Sequence, residues 1–129
     1  MVSRKTIGNV IITSAIGIIL YRTKKDKLIY LDKLPSFINE YIKTHFASHR
    51  LLKAVQARDA FRKTYKVILD GEISLEFNRK GEAIEIEGIS KLPDSVIPQK
   101  IIDFVFTHYP NNVIIEWELE KRIQEVELD

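Results

Sequence analysis

The amino-acid sequence predicts an α+β fold built from two α-β-β repeats, and two observations lead to this prediction. First, residues 34–46 (LPSFINEYIKTHF) are similar to residues 97–109 (IPQKIIDFVFTHY), and residues 65–70 (YKVILD) are similar to residues 124–129 (QEVELD). An internal repeat of this kind marks one structural unit that is used twice. Second, each copy begins with apolar residues at helical spacing and continues with alternating apolar and polar residues, which is typical of a helix followed by strands.

The composition is that of a small globular protein. The chain has 129 residues, of which 45% are hydrophobic and 29% are charged, and it has no cysteine. Disulfides and thiolate metal sites are therefore excluded. The net charge of +2 is too small to indicate binding to nucleic acid, so no nucleic-acid partner is expected.

The N-terminal part of the chain contains an apolar run at residues 7–21. A basic start and a short apolar run are typical of a secretion signal, and the run is shorter than the roughly 20 residues that span a bilayer. Polar residues inside the run and Arg22, Lys24 and Lys25 after it are atypical of a signal. Three interpretations remain: an atypical export signal, which we favour, an N-terminal strand, or a start codon placed too far upstream.

This interpretation divides the chain at residue 30. Residues 1–29 are predicted to be a leader or linker, and residues 30–129 a single domain. Within that domain repeat 1 covers residues 34–88, and an incomplete repeat 2 covers residues 96–129. If residues 7–21 are retained, we expect them to associate with a membrane.

Each repeat is predicted to open with a helix. Pro35 and Pro98 suit the first turn of a helix, where a missing N–H is not needed. The apolar faces that follow recur at helical spacing and comprise Leu34, Ile38, Tyr41, Ile42 and Phe46 in the first helix and Ile101, Ile102, Val105 and Tyr109 in the second. Phe104 and Phe106 widen the second apolar face, which indicates contacts on more than one side.

Alternating segments predict the strands of an antiparallel sheet with one dry face and one wet, acidic face. The inward residues are predicted to be Tyr65, Val67 and Leu69; Ile73, Leu75 and Phe77; Ile84 and Ile86; Val113, Ile115, Trp117 and Leu119; and Val126 and Leu128. Asp70 and Gly71 indicate a hairpin turn. Residues 51–57 match the later strand at residues 114–119, and residues 58–64 are predicted to form a longer hairpin loop. Both helices are expected to pack on the dry face.

These motifs resemble the PepSY-like, β-lactamase-inhibitor-like proteins of Bacteroidetes-type bacteria. The resemblance rests on the segments Leu34-Pro35, Tyr41-Ile42-Lys43, residues 65–70, residues 75–81, Ile97-Pro98 and residues 126–129. It implies a secreted or periplasmic α+β domain with no catalytic residues, in which the inhibitor label rests on fold similarity. Family members usually have a cleaner signal and a further strand in the second copy. Without that strand, we expect the edge at residues 126–128 to pair with another chain or with the N-terminal segment.

The candidate chemical groups favour structural roles. His45 and His108 occupy equivalent places near helix C-termini, where imidazole interacts favourably with free carbonyl groups, so a metal pair is not expected. Trp117 is predicted to lie in the core. The sequence has no nucleophile elbow, phosphate loop or metalloprotease motif, which argues against an enzyme, and no cofactor is expected.

We therefore predict a non-enzymatic cell-envelope domain, periplasmic or secreted, that binds an unidentified protein or small ligand. One candidate surface is the polar sheet face, with Glu76, Glu85, Glu116 and Glu118; another is the loop at residues 58–63, with Arg58, Phe61 and Arg62, which would enter the cleft of a hydrolase in an inhibitory role. Glutamates that alternate along a strand more often serve solubility. The alternatives are a membrane-associated structural or sensor module and a truncated protein of uncharacterised function.

Overall fold

A computed structural model of the chain describes residues 3–7, 10–14, 27–58 and 62–129. Its regular elements, in chain order, are β1 (Ser3–Ile7), β2 (Val10–Ser14), β3 (Lys27–Ile29), α1 (Ser36–His45), β4 (Leu51–Arg58), β5 (Lys63–Leu69), β6 (Ile73–Asn78), β7 (Ala83–Glu87), α2 (Gln99–His108), β8 (Ile114–Glu120) and β9 (Ile123–Leu128). Short 3₁₀ turns at Leu31–Lys33 and Asp94–Val96 precede the two helices.

The strands form one sheet, in the order β1-β2-β9-β8-β7-β6-β5-β4-β3 within the described residues. From β3 to β9, each strand is antiparallel to the strand that follows it in the chain, as the repeat pattern predicted. The two repeats meet where β7 pairs with β8, so the backbone hydrogen bonds continue from one copy into the other. The predicted α+β fold with two helices on one face of the sheet is confirmed.

Both helices begin directly after a proline, as predicted. Pro35 precedes α1 and Pro98 precedes α2, with extended ψ values of 139° and 135°. The buried positions are equivalent, with Ile38 and Ile42 in α1 and Ile101 and Val105 in α2. The sequence repeat therefore corresponds to a repeat in three dimensions.

Aromatic contacts fix α1 against the sheet. Phe37 makes edge-on contacts with Tyr65 on β5 and Phe77 on β6, at ring-centroid distances of 6.0 and 6.1 Å. Phe37 also lies over Gly81 in the β6–β7 turn, where a Cβ atom would be 3.0 Å from the ring. Gly81 has φ +90°, so both the space and the backbone conformation require glycine there.

Two β-bulges interrupt the regular alternation of inward and outward residues along β8 and β4. In β8 a bulge lies between Ile114 and Glu116, so Ile114 and Trp117 are buried while Ile115 is only half-buried. The prediction that Val113 and Ile115 point inward is wrong, because strict alternation assumes an unbroken register. A bulge at the equivalent position of β4, between Leu51 and Lys53, shows that the irregularity is part of the repeat.

A third irregularity affects β7. The pairing of β6 with β7 shifts between Glu76 and Phe77, so Phe77 is opposite Ala83. Ala83 then packs against the core, whereas Ile84, predicted to point inward, is only half-buried. Ile86 keeps its predicted place and is fully buried.

The hairpin between β4 and β5 is shorter than predicted. Arg58 pairs with Lys63, so both residues belong to strands and not to a long loop. Strand pairing through Arg58 extends the regular structure beyond the alternating pattern in the sequence. Phe61, the predicted tip of this loop, lies outside the described residues.

The N-terminal segment contributes strands β1 and β2 to the sheet. β2 lies parallel to β9, with Val10 opposite Gln124 and Thr13 opposite Glu127. The side chain of Val10 is only 4% exposed. β9 is thus paired with the N-terminal segment of the same chain, which is one of the two arrangements expected for this edge. Pairing with another chain stays a prediction, as do the division at residue 30 and the export signal.

The predicted membrane segment overlaps these strands. Residues 10–14 form β2, while residues 8–9 and 15–21 of the apolar run lie outside the described part of the chain. Among the residues that the structure describes, no helix is long and apolar enough to cross a membrane.

Candidate functional site

The sheet face opposite the helices carries glutamates from four adjacent strands. Because residues directly opposite each other share a face of the sheet, the strand register places them in two rows. The first row crosses β6 to β9 and comprises Glu76, Glu85, Glu118 and Glu125. The second row crosses the same strands and comprises Ser74, Glu87, Glu116 and Glu127. We refer to these seven glutamates as the acidic face.

The register places the carboxylates close together. Side chains directly opposite on neighbouring strands have Cβ atoms about 5 Å apart, and like charges at that distance destabilise a sheet. Strands are spaced about 4.8 Å apart, so each row extends across roughly 14 Å. All seven side chains are half-buried by their neighbours. The carboxylates of the acidic face therefore lie close enough to interact with one another and are not separate, fully solvated charges.

Glu85 lies between two carboxylates of its row. Burial raises the pKa of Glu85 to about 7, and the charges of Glu76 and Glu118 contribute to the increase, while Lys66 on β5 acts in the opposite direction. Glu85 is therefore only partly ionised at neutral pH. The raised pKa indicates that a cation placed beside Glu85 would displace a proton.

Glu116 is the corresponding residue of the second row. Burial, a hydrogen bond with Glu127 and the charge of Glu87 raise the pKa of Glu116 to about 8. At neutral pH the Glu116 carboxyl group is therefore mostly protonated, and its O–H donates to the Glu127 carboxylate. Burial and the charges of Glu120 and Glu125 also raise the pKa of Glu118.

A shallow cavity of about 310 Å³ lies at one end of the first row. Its lining comprises Glu118, Glu120, Lys121, Ile123 and Glu125, from β8, β9 and the turn between them. The cavity combines carboxylates with the apolar side chain of Ile123, which is 45% exposed. This end of the acidic face can hold the aliphatic stem of a long cationic side chain beside a carboxylate.

The structure brings together four of the predicted site residues. Glu76, Glu85 and Glu118 occupy one row, and Glu116 lies in the other. Glu125 was not among the predicted contacts, although its alternation with Val126 places it on this face. Glu72 lies in the β5–β6 turn with φ +58° and does not belong to the acidic face.

The second predicted surface is not joined to the first. Arg58 ends β4 and Arg62 precedes β5, and both are exposed. β4 is separated from β6 by β5, so these arginines come from outside the four strands of the acidic face. With Phe61 outside the described residues, the loop at residues 58–63 stays a prediction.

His45 and His108 each lie within hydrogen-bonding distance of another polar group. His45 Nδ1 lies 2.9 Å from Ser95 Oγ, and His108 Nδ1 lies 3.0 Å from the carbonyl oxygen of Phe104. Their equivalent positions in the repeat therefore lead to different contacts, and the structure does not pair them. No three His, Asp or Glu residues in the described part of the chain form a group that could hold a metal ion.

Trp117 lies in the core, as predicted. Its side chain is 7% exposed, and its Nε1–H donates to Gln124 Oε1 on β9 at 3.0 Å. The hydrogen bond satisfies the polar atom of a mostly buried indole. Trp117 packs on the helix side of the sheet and does not belong to the acidic face.

Comparison with protein families shows which family this sequence matches. The sequence profile of the family described as "Putative beta-lactamase-inhibitor-like, PepSY-like" matches residues 20–70 and again residues 63–129. The first match contains α1 and ends after β5, and the second extends from β5 to the end of the chain and contains α2, so each match includes one of the two helices. No curated protein shows significant sequence similarity to this chain.

Solved structures with the same architecture come from Bacteroides. A "putative periplasmic protein" from Bacteroides vulgatus is 34% identical, with a TM-score of 0.78 over 84% of this chain and 86% of that protein. A second protein described in the same way, from the same organism, is 31% identical, with a TM-score of 0.74 over 80% and 84% of the two chains. A "putative calcium-regulated periplasmic protein" from Bacteroides thetaiotaomicron is 30% identical, with a TM-score of 0.76 over 81% and 83%.

Proposed function

We propose a function for this chain, which belongs to the β-lactamase-inhibitor-like, PepSY-like family. The chain is a non-enzymatic periplasmic module, and its acidic face binds a cationic segment of a partner protein. The periplasmic location is supported by three similar structures that are described as periplasmic proteins. The observation that carries the binding proposal is the double row of glutamates on β6 to β9.

The density of carboxylates favours binding over a role in solubility alone. Solubility needs charges that are exposed and spaced apart, and such groups keep ordinary pKa values. Glu85 and Glu116 instead have pKa values raised to about 7 and about 8. Perturbed carboxyl groups that lie together on a surface are a common feature of functional sites. A cationic ligand would offset the repulsion that this arrangement creates.

A peptide segment suits the shape of the acidic face better than a single metal ion. A flat sheet presents its carboxylates from one side, whereas Ca²⁺ requires six to eight oxygen ligands around it. An extended segment with lysines or arginines would contact several glutamates across a length of roughly 14 Å. The cavity beside Ile123 would take the apolar stem of one such side chain.

Calcium is the second candidate, because one similar structure is described as a calcium-regulated periplasmic protein. The same carboxylates would serve it, with water completing the coordination. It is the weaker candidate, since no group of three potential ligands is present among the described residues.

Titration calorimetry with the full chain tests the proposal. The probe is an extended peptide of alternating lysine and serine, and its fully acetylated form is the ligand control. We expect binding of the lysine peptide that weakens with added salt and releases protons, because Glu85 and Glu116 must ionise to pair with it. Calcium chloride is titrated separately under the same conditions.

Variants at the two perturbed glutamates make the test specific. We expect the double substitution Glu85→Gln and Glu116→Gln to weaken binding about tenfold or more and to abolish most of the proton release. Glu40→Gln on α1 is the matched control, because Glu40 is exposed on a helix that packs against the opposite side of the sheet. Equal affinity for the acetylated peptide, or an equal loss in the control variant, would refute the proposal. Saturable binding of calcium alone would favour the second candidate.

A further inference from the structure

Helix α2 carries an apolar patch in which Ile102 packs partly against the core and Phe106 projects into solvent. Phe106 is 77% exposed, and Ile102, one turn earlier, is only half-buried. The buried side of the same helix is formed by Ile101 and Val105. The side chains of Ile102 and Phe106 are four residues apart and lie together on the helix surface.

The first repeat is an internal control for this patch. In α1 the residues equivalent to Ile102 and Phe106 are Asn39 and Lys43, and both are polar. The two helices have the same length, the same proline start and the same buried positions. An apolar residue at the place of Phe106, which is 77% exposed, is therefore not required by the packing of helix on sheet.

A cleft lies beside Phe106. It is bounded by α2, the connection at residues 91–97 and the start of β8, and its volume is about 150 Å³. Most of its lining is apolar and comprises Phe106 and Ile102 themselves together with Leu92, Ile97, Val105, Val113 and Ile114. A cavity of this size and composition accepts a benzene ring. The exposed Phe106 ring therefore stands at the wall of a cleft that fits a second ring.

We propose that a second copy of this chain covers the patch, and that each Phe106 ring enters the cleft of the other copy. A projection and a matching depression on the same surface are what a two-fold symmetric interface needs, because each copy supplies both halves of the contact. Lys91 and Asp94 form an ion pair of 3.1 Å at the edge of the cleft. In the dimer the edges of the two clefts would each carry one positive and one negative charge, so they would meet without net repulsion.

This arrangement is compatible with a free acidic face. The patch lies on the helix side of the sheet, whereas the acidic face lies on the other side. A dimer would therefore present two acidic faces that point outward, and a partner with two cationic segments would bind it more tightly than it binds a single copy.

Sedimentation velocity of the full chain, from low micromolar to near-millimolar concentration, tests the proposal. We expect a reversible monomer–dimer equilibrium. The substitution Phe106→Lys, which introduces the residue type of α1, is expected to raise the dimer dissociation constant at least about 30-fold, because a central aromatic residue is removed from both halves of the interface.

The control is Leu28→Lys, which replaces another exposed apolar residue, 62% exposed on the edge strand β3. We expect it to leave the dimer unchanged, and we expect both Phe106→Lys and Leu28→Lys to keep the thermal unfolding of the parent chain. A chain that stays monomeric at the highest concentration would overturn the proposal and would leave the patch to a different partner. Dimers that persist in Phe106→Lys, or that weaken equally in Leu28→Lys, would also overturn it.

Discussion

At the scale of single residues, the protonation of Glu85 and Glu116 affects the stability of the fold. Both carboxyl groups are half-buried on strands that the core requires, and each lies opposite two other glutamates. Their pKa values are raised above the value in an unfolded chain, so the folded protein holds protons that the unfolded chain has released. The protonated forms therefore stabilise the fold.

The stability of the fold is therefore expected to depend on pH. The stabilisation is complete below the unfolded pKa of about 4.5 and is lost as the pH rises through about 7 to 8. We expect the free energy of unfolding to fall by about 1–2 kcal/mol between about pH 5 and pH 9, after allowance for solvent screening. Urea unfolding at each pH measures it. The double variant Glu85→Gln and Glu116→Gln should show a flatter profile, and Glu40→Gln should keep the steep one.

A second prediction concerns Gly81. An alanine there would place a Cβ atom 3.0 Å from Cγ of Phe37, at a backbone φ of +90°. We expect Gly81→Ala to destabilise the protein by about 2 kcal/mol, because both the turn and the packing of α1 must adjust. Thermal or urea unfolding measures this. A loss of stability close to zero would mean that Phe37 moves away freely and does not fix α1 on the sheet. The variant for comparison is Gly88→Ala, at a glycine without a positive φ.

At the scale of elements, the β5–β6 turn and the β8–β9 turn each contain two consecutive residues with positive φ. The β5–β6 turn uses Gly71 at φ +77°, and His49 Nδ1 contacts the Asp70 carboxylate at 3.2 Å beside it. The Asp70 carboxylate also accepts a hydrogen bond from the backbone N–H of Arg50, which lowers the pKa of Asp70. The β8–β9 turn has no glycine, and Lys121 and Arg122 both have positive φ, at 49° and 67°. The β5–β6 turn has one non-glycine residue at positive φ, Glu72, whereas the β8–β9 turn has two, so the β8–β9 turn is the more strained.

Relief of that strain is a testable prediction. Two consecutive residues with positive φ form the turn type in which Asn-Gly is the favoured pair. We expect the double substitution Lys121→Asn and Arg122→Gly to raise the free energy of unfolding by about 1 kcal/mol. Lys121→Ala with Arg122→Ala removes the same charges but keeps the Cβ atoms, and it should not stabilise. If both double variants are equally stable, the effect comes from charge and not from backbone strain.

At the scale of the whole molecule, the N-terminal strands determine how the sheet ends. β9 pairs with β8 on one side and with β2 on the other, so its backbone groups are hydrogen-bonded along both edges. An unpaired edge would offer a template for another chain. β2 supplies Val10 to the core, which joins this pairing to the hydrophobic interior.

The substitution Val10→Asp tests this closure. A charge at a side chain that is 4% exposed should release β2 from β9, because an unpaired buried carboxylate is costly. We expect faster hydrogen exchange at the β9 amides of residues 124–127, and Val10→Ile should leave their exchange unchanged. Exchange that slows with rising protein concentration in Val10→Asp would indicate that another chain then pairs with the free edge. Protection that stays the same in Val10→Asp would contradict the role of β2.

The sequence was sufficient to predict the repeat and most of its structural consequences. Proline followed by apolar residues at helical spacing predicted α1 and α2, because helix starts and amphipathic faces are local properties. Alternation predicted the strands and placed Glu76, Glu85, Glu116 and Glu118 on one face. The details that were predicted wrongly are the inward positions at Ile84, Val113 and Ile115 and the length of the β4–β5 loop, since bulges and strand pairing depend on the partner strand.

The sequence by itself determined the fold class, the helices and the side of the sheet that each glutamate occupies, because these depend on spacing along one strand or helix. Only the tertiary structure decided which glutamates are neighbours, since the register between β6, β7, β8 and β9 is a property of pairs of strands. The same holds for the raised pKa of Glu116, for the cleft beside Phe106 and for the pairing of β2 with β9. Each of these depends on segments far apart in the chain, and local periodicity carries no information about their contact.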